Sequence, residues 1–162
     1  MQAKQEDVFQ FAYDEIFSVI NDLPVTAADG NLAICRNAGY LLQAEIAMAL
    51  NNKTTASSIL SNIGSASNDE TIIWGFKTEP TAATIPIYTN KHVSLYKKEC
   101  SGNTTNLVTE WANASFTYGY WATLKRLGQA QSVTGCYDYE LLMPFPQNEI
   151  SLNNKIKQNP GY

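Results

Sequence analysis

The sequence predicts an α+β domain in which N-terminal helices pack on a small, mainly antiparallel sheet with one late helix. Three patterns carry this reading. Apolar residues recur at helical spacing up to about residue 63. From residue 72 the alternation drops to a period of two. A helical pattern then returns near residue 107. Helices followed by strands, rather than strict alternation of the two, point to α+β.

In the first helix, over 5–21, Val8, Phe9, Ala12, Tyr13, Ile16, Phe17 and Ile20 recur with Glu6, Asp7, Asp14 and Glu15 between them. Acids in the first turn suit the positive end of the helix dipole. Pro24 biases the preceding residue away from helix and ends the element. A second helix is predicted from about Leu32 to Leu50, apolar over more than one face and therefore central. Gly39 inside it costs about 1 kcal/mol relative to alanine, so a close neighbour or a kink is expected there. A short third helix, capped by Thr54 or Thr55, carries Ile59, Leu60 and Ile63 and stops at Gly64.

Ile72, Trp74 and Phe76 share one face of a predicted strand. Ile85 and Ile87 mark a second, which Pro86 confines to an edge. Asn90-Lys91 reads as a hairpin turn into a third strand over 92–97. Residues 105–128 read as one long helix with an irregularity at Gly119. Gly128 is its stop, after Lys125 and Arg126. Tyr137, Tyr139, Leu141 and Met143 alternate with Cys136, Asp138, Glu140 and Leu142 as a last strand ended by Pro144. Residues 1–146 are thus expected to form the domain, and 147–162 an extended C-terminal arm.

At 162 residues the chain is long enough to build a core without metals or disulfides. Charged residues make up only 16% of it, against about 25% in an average protein. Neutral polar residues fill the difference, as on surfaces that live against other proteins or outside cells. With net charge −4, eleven basic residues and no dense basic run, the chain is not expected to take nucleic acid as its main partner. No run of 18 apolar residues is present, so no membrane span is expected. The start, 1–7, lacks the basic and apolar regions of a signal peptide. A virion or extracellular location is favoured over the cytoplasm.

Catalytic chemistry has no visible home. His92, the single histidine, sits among lysines and reads as a solvated strand residue. A Cys100–His92 nucleophile pair has no local signature to support it. The histidine and three scattered cysteines make a poor zinc set, and the isolated glycines make no phosphate loop. No catalytic residue, metal or cofactor is therefore expected. Cys100 and Cys136, which end or begin strand-like runs, form a candidate disulfide for an oxidising compartment, whereas Cys35 reads as a buried small hydrophobe. Three matches to the N-glycosylation pattern begin at Asn52, Asn103 and Asn113.

The most unusual feature is the aromatic series Trp111, Phe116, Tyr118, Tyr120 and Trp121, followed by Tyr137 and Tyr139. It reads as core packing of the late helix, or as a Tyr- and Trp-rich protein interface, or as a stacking platform for a ligand. Trp111, Phe116, Tyr118, Tyr120 and Trp121 are the candidate interface residues. The composition favours a non-enzymatic structural or assembly protein that works in homo- or hetero-oligomers, such as a head–tail joining or tail-completion component of a bacteriophage virion. The alternatives are a secreted or periplasmic domain (pilin-like subunit, adhesin or immunity protein) and a small ligand-binding protein or enzyme using an aromatic face.

Overall fold

The computed structural model describes residues 4–27, 32–64, 68–114 and 119–162. Among these residues, eight α-helices and a two-stranded antiparallel sheet confirm the α+β class. The helices are α1 (Gln5–Val19), α2 (Arg36–Ala49), α3 (Lys53–Leu60), α4 (Asn90–Cys100), α5 (Leu107–Ala114), α6 (Tyr120–Arg126), α7 (Ala130–Thr134) and α8 (Gln147–Leu152). The strands are β1 (Ile72–Phe76) and β2 (Ile85–Thr89). The chain divides into two compact units, 3–120 and 121–162, each described by itself.

In the first unit α2 is the central helix. Ala38, Leu41, Ala44, Ala47 and Met48 are buried, and the alanines leave room for neighbouring helices. Gly39 meets the segment that follows α1: a Cβ there would lie 2.8 Å from Leu23 Cδ1 and 3.4 Å from Ile20 Cγ1. The connection is fastened by Arg36, whose guanidinium donates to Asn21 O at 2.6 Å and Leu23 O at 3.1 Å. Asn51 adopts the left-handed conformation that stops α2. Asn52, rather than Thr54 or Thr55, caps α3, its Oδ1 accepting from Thr55 N at 3.1 Å. Only residues 50–52 separate the two helices, and the cap falls to Asn52, which follows the left-handed turn at Asn51.

β1 and β2 pair with Trp74 opposite Tyr88 and Gly75 opposite Pro86, with irregularities on either side of Trp74. Trp74 Nε1 donates to Leu32 O at 3.3 Å, tying the hairpin to the segment before α2. Pro86 is tolerated because a two-stranded sheet has only edge strands.

The expected third strand, 92–97, is instead helix α4. Thr89 and His92 form a capping box across its first turn, with Thr89 N donating to His92 Nδ1 at 3.1 Å. That cap turns 90–91 into the start of a helix and removes the hairpin turn. His92, Val93, Tyr96 and Glu99 then fall on one buried face at helical spacing. Lys97 and Lys98 occupy the last turn, as the dipole favours.

The long helix expected over 105–128 is observed as α5 and α6. Its middle, 115–118, lies outside the described residues. Gly119 has φ +86°. Gly128, at φ +66°, closes α6 as expected, with Gln129 N donating back to Leu124 O at 2.8 Å.

The last expected strand is also replaced. Asp138–Leu141 form a 3-10 helix, because Glu140 Oε2 captures the Tyr137 N–H at 2.7 Å. The extended conformation resumes only at Leu142. Residues 147–162, expected to be an extended arm, contain α8 and then return to the segment 142–145.

Gly75 tests the hairpin. A Cβ at this position would lie 2.6 Å from Ile85 O and 2.7 Å from Thr84 Cγ2, and the carbonyl cannot move without breaking the pairing. Gly75→Ala is expected to lower the unfolding free energy by about 1–3 kcal/mol in urea titrations.

Candidate interaction surface

The aromatic series picked out in the sequence is divided by the fold into a buried set and an exposed one. Trp111 belongs to the core. It is fully buried on α5, with His92 and Tyr96 of α4 edge-on to its indole at centroid distances of 5.6 and 4.8 Å. Tyr88 continues the cluster edge-on to His92 at 5.9 Å, and Trp74 lies beyond it at 6.2 Å. Edge-to-face contacts of this kind place the positive ring edge on the negative face. Tyr88 is itself 1% exposed and donates to Glu45 Oε2 at 2.7 Å, linking the sheet to α2. Phe116 and Tyr118 lie outside the described residues. Tyr120 is half-buried, and Trp121 is 41% exposed at the start of α6.

His92 is therefore no solvated strand residue. It is 2% exposed, ring-packed, and its Nδ1 accepts from the Thr89 amide. Burial lowers its pKa from 6.5 to about 4, so the imidazole is neutral at physiological pH. A neutral ring committed to a helix cap is poorly placed for proton transfer to a substrate. Cys100 stands eight residues further along α4, roughly 12 Å by helical rise, so the two side chains do not form a nucleophile pair. Cys100 Sγ lies 3.9 Å from Met48 Sδ. Cys136, its candidate disulfide partner, follows α7 in the other unit. Cys35 is buried as expected, with Sγ 3.7 Å from Ile73 O.

Among the described residues no group of His, Cys, Asp and Glu side chains could hold a metal, and no helix is long and apolar enough to cross a membrane. A concavity of about 460 Å³ lies between α3 and the end of α4. Lys53, Thr54, Ser57, Ser58, Ser61 and Cys100 line it, without a carboxylate or an aromatic ring.

The exposed rings of the aromatic series, among the described residues, are in the second unit. Tyr137 and Tyr139 stack at 5.8 Å with their planes 6° apart, and Tyr162 meets Tyr139 edge-on at 5.2 Å. Tyr137 is 68% exposed and Met143 86%. Side chains rather than a partner strand hold this surface in place. Gln158 pairs with Phe145 at both ends of its amide: Phe145 N donates to Oε1 at 2.8 Å, and Nε2 donates to Phe145 O at 3.0 Å. Asn159 Nδ2 donates to Met143 O, and the Tyr162 hydroxyl donates to Leu142 O at 2.9 Å. Gly161, at φ +96°, lays its backbone directly on Tyr139, where any Cβ would overlap the tyrosine side chain. Tyr162, Gln158 and Asn159 escaped the sequence reading because their partners are backbone carbonyls and amides far back in the chain.

No family profile, curated protein or solved structure matches this chain.

The buried histidine makes stability depend on pH. Its folded pKa lies below the unfolded value, so the unfolded state binds the extra proton between pH 6.5 and about 4. The contribution is complete above pH 6.5 and is lost as pH falls towards 4. The loss is expected to reach on the order of 3 kcal/mol. His92→Gln keeps a side-chain acceptor at the third helical position but cannot titrate. Urea midpoints measured across this window are expected to fall less steeply in the variant.

Proposed function

We propose that this chain acts without catalysis of its own, as a binding subunit in a larger protein assembly, and that the tyrosine surface of residues 137–162 is one of its contact faces. The observation that carries this reading is the exposed Tyr137–Tyr139 stack, with Tyr162 edge-on to it and Met143 exposed in the same segment. Tyrosine supplies large contact area for the loss of few rotors, and its hydroxyl tolerates both water and a polar partner. Methionine adapts to irregular surfaces. Aromatic residues and Met are enriched in interfaces, while Lys, Glu and Asp are depleted.

The fold-back supports the same reading. Amide side chains and a glycine pressed against Tyr139 order the rings in advance, so less conformational freedom is lost on docking. Trp121, a candidate from the sequence, belongs to the same unit. Trp111 is withdrawn as a contact residue by its burial.

The test is native mass spectrometry and sedimentation of the chain isolated from its own source, beside Tyr137→Ser/Met143→Ser. The wild-type chain is expected in a complex larger than the monomer. The double variant should leave that complex while its urea midpoint stays nearly unchanged, since exposed substitutions rarely exceed about 0.5 kcal/mol. Gly161→Val reaches the same surface from behind by displacing Tyr139, and should also weaken the complex. A wild-type chain that stays monomeric and co-isolates with nothing would remove the proposal.

A further inference from the structure

Helix α1 is bound to its own unit by one edge only. None of its residues is fully buried. Phe9, Ala12, Tyr13 and Ile16 are half-buried, and Ile20 just beyond the helix is 4% exposed. A second apolar set points elsewhere: Phe11 is 66% exposed, Val8 53% and Val19 49%. At 100° per residue Val8, Phe11, Glu15 and Val19 fall within about 80° of one another, on a stripe beside the packed edge of Phe9 and Ile16, while Phe17, 65% exposed, lies across the helix from that stripe. Their spacings of three, four and four are those of a helix–helix seam. An isolated helix of this length is marginal in water, so α1 has little stability of its own to set against that exposure.

The charges say what fits the seam. Apart from Lys4 at the N-cap of α1, residues 4–27 hold five carboxylates (Glu6, Asp7, Asp14, Glu15 and Asp22) and no other Lys, Arg or His. Asp7 and Asp14 flank Phe11 along one border, and Glu15 lies within the seam itself. The last turn carries no basic residue, and Asp22 follows shortly after it. Acids toward the C-terminal end oppose the helix dipole and cost stability, so their placement is not explained by the helix alone. A second copy of α1 would meet these carboxylates with its own set, and like charges across a seam disfavour pairing. A cationic helix would neutralise them.

We propose that the outer face of α1 docks a basic amphipathic helix from a partner protein. Aliphatic side chains of the partner cover Val8, Phe11 and Val19, and a Lys or Arg stands opposite Glu15. This face belongs to the first unit and the tyrosine surface of residues 137–162 to the second, and neither proposal depends on the other.

The probe is a labelled peptide about three heptads long, with Leu at a and d and Lys at e and g, added to the full chain and followed by fluorescence anisotropy. A control peptide carries Glu in place of Lys. The Leu/Lys peptide is expected to bind, and to weaken as salt is raised. Phe11→Ser/Val8→Ser should reduce its affinity at least tenfold while the circular dichroism and urea midpoint stay close to wild type. Glu15→Lys, exposed and so tolerated by the fold, should shift preference toward the Leu/Glu peptide. No binding of the Leu/Lys peptide overturns the proposal, as does equal binding to wild type, Phe11→Ser/Val8→Ser and Glu15→Lys. Concentration-dependent dimers of the chain that Phe11→Ser dissolves would assign the face to a second copy and equally overturn it.

Discussion

The indole of Trp111 fills the space where α4 and α5 meet, and the rings around it fix where the neighbouring elements sit. His92 and Tyr96 of α4 meet it edge-on, and His92 in turn meets Tyr88 at the end of β2. Tyr88 hydrogen-bonds to Glu45 on the central helix. Burying large aromatic side chains supplies more area per residue than any aliphatic substitute, and their edge-to-face geometry adds direction. One buried residue, His92, does two jobs: it packs among the rings and caps the helix that carries two of them. Its neutrality follows, because a charged imidazole would have to be desolvated inside the cluster.

The two units solve different problems with different means. The first buries apolar surface and satisfies its helix ends with Asn52, Thr89 and His92. The second is small and holds few buried residues, so its order comes from polar side chains that take the place of missing strand partners. Gln158 presents both a donor and an acceptor to Phe145, as a neighbouring strand would. This arrangement leaves the tyrosines and Met143 on the outside.

Local periodicity made the N-terminal half legible. α1, α2, α3 and the strands β1 and β2, though not their pairing, follow from spacings of 3.6 and 2, and from Pro24, Gly39 and Pro86. α4 was not legible, because Val93 and Leu95 mimic strand alternation and a Thr-x-x-His cap lacks the usual Glu or Gln. Tyr137 to Met143 kept a strand pattern that a single side chain, Glu140, overrode by capturing the Tyr137 amide. The aromatic series was visible as a unit in the sequence. Which rings face inward depends on long-range contacts, and periodicity carries no record of those. The same holds for the exposed face of α1: the helix was legible and Val8 was counted in its apolar set, but Phe11 and Val19 were not, because spacing does not show which side the rest of the chain leaves uncovered.

The central claim is that Trp111 anchors the ring cluster, and one pair of substitutions tests it directly. Trp111→Ala is expected to cost about 3–5 kcal/mol in urea unfolding at neutral pH. Trp121→Ala, at a side chain 41% exposed, should cost much less. Equal costs at the two positions, or a loss below about 1 kcal/mol at Trp111, would contradict the account.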